Sequence, residues 1–590
     1  MTALTATINK KFRQVRLGIQ GSPVYYWISL ASAVDRAARE EECQTGGIRI
    51  ARNGRDGWEA EVAWKSSLWK SKKHCYRFEK NCLTHWIELE GHGRISQVTF
   101  FSGTVNGAEE ACVPGFGSVY TAAPNFLDKP WSHPSEYTAN SAGNLTPLWG
   151  SALNGGPLMF AVGEQGLSGW IGIGLLARPG QYGFHTMAFN QKRRHALNTP
   201  DHIVGTQAIT LDYLGSEAVK GRWVSPKLML FSGRDAADCL RRYCRSVYAG
   251  GYASKPVSRR AAWWQRPIFC TWHEQVALAA RRRGAAGYFD QLNGRNVRRW
   301  LARLDRKGVP IGTVILDALW QKDDGRNEAD PFKFPDFRGF VEELHARNYR
   351  VLLWIKAWET KGIPAAWCVT RGGKPVMADP THIEYRGYAE QMVRRLLGHG
   401  PGCYHADGLK IDGTNVLPSG KGLKSKGERY GFELLHAYFK LMYDAAKSAR
   451  SDALVSVFTA NPYMADCCDM VRLGDLYTFR GDPIHTMRWR AATYRAALPH
   501  ALIDTDGALH FSVREDTEQL LAEQAQLGVP SLYQADYLVK SRPFVKPAIR
   551  RLTQAEYCLL RRFCGGRMQT ARRRPFSASG PDGLLPLPRI

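Results

Sequence analysis

No Cys-x-x-Cys pair occurs anywhere in the chain, and the two adjacent cysteines are Cys467 and Cys468. Thiolate zinc sites draw their ligands from such pairs, so neither a metal nor any other cofactor is expected. No apolar run approaches the roughly 20 residues that cross a bilayer. The most apolar stretch, 155–176, is broken by Gly, Pro, Glu and Gln and reads as β-hairpins. The segment from Met1 to Lys11 lacks the hydrophobic core of a secretory signal, and the 13 cysteines are an odd number. These absences point to a cytoplasmic protein with reduced thiols and no membrane partner. A Gly-rich loop opening a helix is also missing, which removes the usual cradle for nucleotide phosphates.

Acidic residues are the minority charge, 54 against 80 Lys and Arg, for a net charge of +26. Such an excess raises nucleic acid as a partner. Its distribution argues otherwise: Arg281-Arg282-Arg283, Arg298-Arg299, Arg394-Arg395 and Arg572-Arg573-Arg574 are short runs in helical or terminal segments. Zinc-finger spacing, an RNP-like aromatic motif and a long basic tail are all lacking, so no nucleic acid is expected, while acidic small substrates stay open.

With 590 residues and 44% hydrophobic content, the chain can bury a large core. Short alternating runs fill its first part, among them Tyr25-Tyr26-Trp27-Ile28, His85-Trp86-Ile87-Glu88-Leu89 and Leu158-Met159-Phe160-Ala161-Val162. They predict a large antiparallel β-sandwich over residues 1–252. A polar linker, 253–265, follows. From 266 to 548 the texture changes to apolar strand-like runs alternating with amphipathic helices. The runs are 267–272, 312–317, 350–355, 408–412, 454–459, 469–475, 501–504 and 531–533. Between them Val297, Trp300, Leu301 and Leu304 mark one helix face, Asp336 can cap another helix, and Thr381 with Glu384 fits a capping box. Eight such alternations predict an α/β fold, a parallel (β/α)8 TIM barrel, with an open doubly wound sheet as the rival. Residues 549–590 read as a short helix from about Arg550 to Arg561 and a tail without strand periodicity.

In a barrel the C-terminal strand tips share one mouth. Here they carry Trp272, Asp317, Trp354, Lys410, Asp412, Thr459, Arg472 and Asp475. Alternation places Lys410 and Asp412 on one face of their strand. A cation close to Asp412 would hold it ionised, as a nucleophilic carboxylate requires, and a structural ion pair at a strand end is the other reading. Acids and tryptophans together suit a sugar, the former for hydroxyls and the latter for the apolar ring face.

Lys410-Ile411-Asp412, Leu316-Asp317 with Trp320, and the passage from Asp330-Pro331-Phe332-Lys333-Phe334-Pro335-Asp336 to Leu353-Trp354-Ile355 resemble the retaining α-glycosidases. The resemblance is chiefly to the α-galactosidase type of glycoside hydrolase family 36, with family 31-like features, and spans roughly 266–537. It implies hydrolysis of terminal α-linked sugars from an oligosaccharide or glycoside, with Asp412 as nucleophile. Asp317, Trp320, Trp354, Lys410, Arg472 and Trp272 would bind substrate. For the acid/base the resemblance divides. Arg472-Leu473-Gly474-Asp475 is similar to a family 31 motif and favours Asp475, whereas Asp482-Pro483-Ile484 with Arg488 is similar to a family 36 stretch and offers Asp482. Open beside this reading are a family 31-like α-glucosidase or transglycosidase, a non-catalytic carbohydrate-binding barrel, and assembly as a homo-oligomer. The chain departs from the family in lacking a full β-domain after the barrel.

Overall fold

Val314 and Leu316 face one side of their strand and Thr313 and Ile315 the other, and this alternation separates the two surfaces of a closed barrel. The structure, a computed structural model, describes residues 3–11, 13–21, 25–44, 47–54, 57–101, 104–105, 108–109, 118–121, 136–141, 156–163, 169–195, 203–254, 260–281, 291–414, 417–473, 483–507, 517–542 and 545–566. The barrel strands are β1 (Ile268–Cys270), β2 (Thr313–Leu316), β3 (Arg350–Lys356), β4 (Gly408–Asp412), β5 (Leu454–Val457), β6 (Met470–Arg472), β7 (Leu502–Asp504) and β8 (Ser531–Leu532). Each pairs in parallel with the next, and β8 returns to β1. Asp504 bridges Val529 in parallel, and the Val529 N–H donates to Ile503 O at 2.7 Å, which completes the ring between β7 and β8. The predicted TIM barrel is therefore the fold, and the open sheet is not.

Burial follows the alternation. Ile268, Cys270, Ile315, Leu352, Leu454, Met470, Val529 and Tyr533 form the inner cluster. Phe269, Val314, Leu353, Leu409, Val455, Val471 and Ile503 belong to the larger core that the helices cover. Trp263 and Trp264 join the inner cluster from a 3-10 turn, Ala262–Gln265, and their indoles donate to the Asp452 side chain at 3.1 Å and backbone at 2.9 Å. The end of the segment read as a polar linker is thus buried, because two tryptophans stop the bottom of the barrel.

Helices Gly294–Arg306, Phe337–Ala346, Ile383–Leu397 and Gly431–Ala449 cover the first strands. Asp336 caps its helix as predicted, accepting from the Gly339 N–H at 2.8 Å. The capping box at Thr381 does not form. Thr381 bonds Asp379 instead, and His382 occupies the cap. Between β5 and β6 the chain makes only a 3-10 turn, Pro462–Met464. Helix Ala236–Ala249, from the half read as all β, packs against that turn and against helix Pro483–Ala497, with Tyr248 donating to Ala497 O at 2.6 Å. Its apolar positions Ala236, Cys239, Leu240, Tyr243, Cys244 and Val247 recur at helical spacing behind an Asp235 cap. A helix from the N-terminal part thereby covers the outside of the barrel where the local connection supplies none.

The remaining N-terminal elements are sheets. Leu4–Asn9, Gln14–Ile19 and Tyr25–Ser29 form a three-stranded antiparallel sheet. A larger network is built around two long antiparallel strands, Cys82–Phe100 and Ile203–Val224. The stretch read as hairpins contains the antiparallel pair Met159–Gly163 and Trp170–Leu176. The sheets meet the barrel at Tyr463, whose hydroxyl accepts from Ala177 N at 3.0 Å and donates to Leu175 O at 2.9 Å. After β8 a hairpin, Tyr537–Arg542 with Val545–Arg551, precedes helix Gln554–Cys564. That helix starts four residues later than its sequence suggested, because Arg550 and Arg551 pair in the hairpin and Thr553 forms a reciprocal cap with Glu556. Among the described residues no helix is long and apolar enough to cross a membrane.

Candidate active site

β4 is apolar on its outer face through Leu409 and Ile411, so Lys410 and Asp412 must face inward. They do not pair with each other. The Lys410 ammonium reaches across to β2 and lies 2.6 Å from Asp317 Oδ2. The Cys270 thiol donates to the same oxygen at 3.1 Å. Burial and the nearby Arg472 oppose the charge on Lys410, but Asp317, with Cys270 and Asp412, outweighs them and holds its pKa above the ordinary lysine value.

Asp412 is served by different groups. Its Oδ2 accepts from the Trp354 indole N–H at 3.0 Å and lies 3.5 Å from Arg472 Nη1, and its Oδ1 accepts from Gly413 N at 2.9 Å. Burial alone would push this carboxyl up. The combined pull of Arg472, Lys410 and the two hydrogen bonds holds it well below the usual carboxylate range. The Asp412 side chain is 34% exposed, whereas Lys410 and Arg472 are each 3% exposed, so a partly buried carboxylate stands in front of two buried cations.

Arg472 also faces Asp506, with Nη2 3.5 Å from Oδ2, and stacks over the Phe458 ring at 4.8 Å. Asp506 Oδ1 accepts from the Tyr533 hydroxyl at 2.5 Å. Asp504, at the tip of β7, accepts from Asp506 N at 2.8 Å, and its pKa is raised by burial and by the neighbouring Asp506 charge. Cys270, Asp504, Asp506 and Tyr533 were absent from the sequence-derived site. Leu502-Ile503-Asp504 carries the same strand-tip signal as β4, since alternation puts Leu502 and Asp504 on one face. The turn that brings Asp506 under Arg472 has no such periodic mark.

Of the residues expected to bind substrate, Trp354 lies at the mouth on Asp412, and Trp272, opening helix Trp272–Arg281, packs partly buried against the inner cluster. Asp317, Lys410 and Arg472 are buried and committed to the ion pairs described above. Trp320 is corrected to a core residue: it is fully buried, stacks on Phe337 at 5.2 Å and donates its indole N–H to Trp354 O at 2.8 Å. The turn after β2 folds its indole under the sheet, so it supports Trp354 from behind. Asp475 and Asp482 lie outside the described residues.

Above the mouth, Cys368–Arg371 and Lys374–Ala378 form a hairpin extended by Leu423–Lys424. Buried Asp379 joins the loops after β3 and β4, accepting from Thr381 N at 2.9 Å and Lys426 N at 2.7 Å.

The fold and mouth define a (β/α)8 barrel preceded by N-terminal antiparallel sheets, with an ionised carboxylate at the tip of β4. Residues 284–454 match the model of the glycosyl hydrolases family 31 TIM-barrel domain. This segment contains Asp317, Trp354, Lys410 and Asp412 and stops before Arg472. Among solved structures, the GH31 family sulfoquinovosidase from E. rectale, in complex with an aza-sugar inhibitor, has a TM-score of 0.55 at 10% identity, covering 95% of this chain and 82% of that one. The cycloalternan-forming enzyme from Listeria monocytogenes, in complex with a pentasaccharide substrate, has a TM-score of 0.53 at 12% identity, covering 88% of this chain. The present chain spans about half of that structure's length, 54%. These similarities establish a shared fold. No curated protein matches the chain.

Proposed function

We propose that the protein is a retaining α-glycosidase or transglycosidase of the family 31 type, with Asp412 as the nucleophile. The observation that carries this reading is the partly buried Asp412 carboxylate at the barrel mouth, held ionised by buried Arg472 and Lys410, within the segment that matches the family 31 barrel. In the first step Asp412 attacks the anomeric carbon while an acid protonates the departing oxygen, leaving a covalent glycosyl-enzyme. In the second, water or a sugar hydroxyl gives up a proton to the same group, now a base, and displaces Asp412. Asp475, three residues past the tip of β6, is the proposed acid/base, with Asp482 as the alternative. Asp504 keeps its proton more readily than an ordinary carboxyl, but it is 1% exposed and shapes the turn that carries Asp506, which suits support rather than proton transfer. The family 31 match favours an α-glucoside or a transfer reaction over an α-galactoside.

The test is a donor panel of aryl α-glucoside, α-galactoside and sulfonated α-glycoside, with and without sugar acceptors. Turnover of one donor by the wild type and its loss in Asp412→Asn are expected. A 2-fluoro glycosyl fluoride should label Asp412, seen as a mass increase on its peptide. Turnover by Asp412→Asn near the wild-type rate would overturn the nucleophile assignment. Azide rescue of Asp475→Ala but not of Asp482→Ala identifies the acid/base as proposed, and the reverse pattern assigns it to Asp482.

A further inference from the structure

The turn that replaces a helix between β5 and β6 places three metal-ligating side chains together, outside the ion-pair network of Asp412, Arg472 and Asp506. His436 projects from helix Gly431–Ala449, and Asp466 and Cys467 follow the turn Pro462–Met464. Their ligand atoms, one per residue, all lie within 4.8 Å of one another. His436 Nε2 is 3.0 Å from Asp466 Oδ1. The backbone presenting Asp466 and Cys467 is fixed in advance: Asn461 accepts from Tyr463 N at 3.0 Å and donates to Gly156 O at 2.8 Å, and Tyr463 is anchored to Leu175 and Ala177. Cys467 is fully buried and donates its S–H to Met464 O at 3.2 Å, while the His436 and Asp466 side chains are 19% and 14% exposed, which leaves an approach from solvent.

Glu433, one turn before His436 on the helix, accepts from Gly180 N at 2.9 Å and from the Tyr182 backbone N–H, which ties this helix to the Gly180–Tyr182 turn. The Tyr182 ring stands edge-on to His436 at 6.2 Å. The neighbouring cation, Lys440, is bound to Asp444 at 2.5 Å.

We propose that His436, Asp466 and Cys467 form a binding site for a zinc-type divalent cation at the seam between the barrel and the N-terminal sheets. Imidazole nitrogen, carboxylate oxygen and thiolate sulfur are the ligands of a borderline-soft metal, whereas calcium and magnesium take oxygen ligands. On binding, the Cys467 S–H bond breaks, its proton leaves to solvent and a metal–sulfur bond forms. His436 binds through the Nε2 lone pair as neutral imidazole, and water takes the fourth position. The ion would fasten helix Gly431–Ala449 to the loop leading into β6, beside the Gly180–Tyr182 turn. Its role is structural and independent of the proposed glycosidase chemistry.

The test uses the full chain, stripped with a chelator and titrated with Co2+. One equivalent should bind with tetrahedral visible bands and a thiolate-to-cobalt band in the near ultraviolet, and Zn2+ should displace it. Because the thiol gives up its proton on binding, apparent affinity should rise with pH. Cys467→Ser should lose the thiolate band, Cys468→Ser should keep it, and His436→Asn should weaken binding at least about tenfold. Zn2+ should raise the melting temperature of the wild type but not of Cys467→Ser. Absence of a thiolate band from the wild type at large cobalt excess, or its persistence in Cys467→Ser, would overturn the proposal.

Discussion

Lys410 lies 2.6 Å from Asp317, on the neighbouring strand but one in sequence order of the barrel staves, and leaves Asp412 to Arg472 at 3.5 Å. The lysine and aspartate two residues apart on β4 share a face without sharing a contact. The long lysine side chain spans the barrel interior to β2, while the short Asp412 stays at the rim. The result is a layered arrangement in which Lys410 neutralises the buried Asp317, and Arg472, braced by Asp506 and Tyr533, sets the charge on the partly exposed Asp412 carboxylate.

Removing Lys410 should therefore act first on stability. Lys410→Met leaves the Asp317 carboxylate buried without its cation, at an expected cost of about 3–5 kcal/mol in urea unfolding. Adding Asp317→Asn to that variant should recover part of the loss. Equal stability of Lys410→Met and wild type would show that the pair does not hold the barrel interior.

Arg472 should govern the acid limb of activity. Asp412 is held below its ordinary pKa by Arg472 and Lys410 against the effect of burial, so Arg472→Gln must move it upward. The acid limb of kcat/KM is expected about 1–3 pH units higher in this variant, with activity lost sooner as pH falls. An unmoved limb in the pH–rate profile would remove Arg472 from this role.

The two tryptophans near the mouth should separate cleanly. Trp320→Ala opens a hole in the core and should cost about 3–5 kcal/mol of stability, read by chemical denaturation. Trp354→Phe keeps the ring but loses the hydrogen bond to Asp412, which predicts about a 10–100-fold fall in kcat/KM with little change in unfolding.

Glu274 links stability to pH. One of its oxygens accepts three backbone N–H groups, from Ala535, Asp536 and Tyr537 at 2.8, 2.8 and 2.9 Å, fixing the chain after β8. Burial outweighs those bonds and raises the carboxyl to about 7 from the usual 4.5. Between these values the folded chain holds a proton that the unfolded chain has lost, so stability falls as pH rises through the window, by about 3 kcal/mol in total. Melting curves across that range should show the slope, and Glu274→Gln should flatten it.

Several elements were legible because one periodicity governs them. Val297, Trp300, Leu301 and Leu304 mark a helix face that the structure buries, and the inward position of Asp412 at its strand tip is legible because alternation fixes which side chains enter the barrel. Helix Ala236–Ala249 carried an equally clear period but was obscured by the strands before it. Thr381 was misread as a cap because the short-range pattern is indifferent to Asp379, which competes for the hydroxyl from the other side. Trp320 was misassigned because strand-end position says nothing of which way the following turn folds.

The sequence by itself determined the eight barrel strands, the faces they present and Asp412 as candidate nucleophile, since each follows from neighbours within a few residues. Only the tertiary structure decided the partners. Lys410 and Asp317 are 93 residues apart, Arg472 meets Asp412 across 60, and His436 joins Asp466 and Cys467 across about 30. Such pairs depend on how the strands close and which turns fold inward, and no local period encodes them, because burial and charge are properties of the assembled barrel.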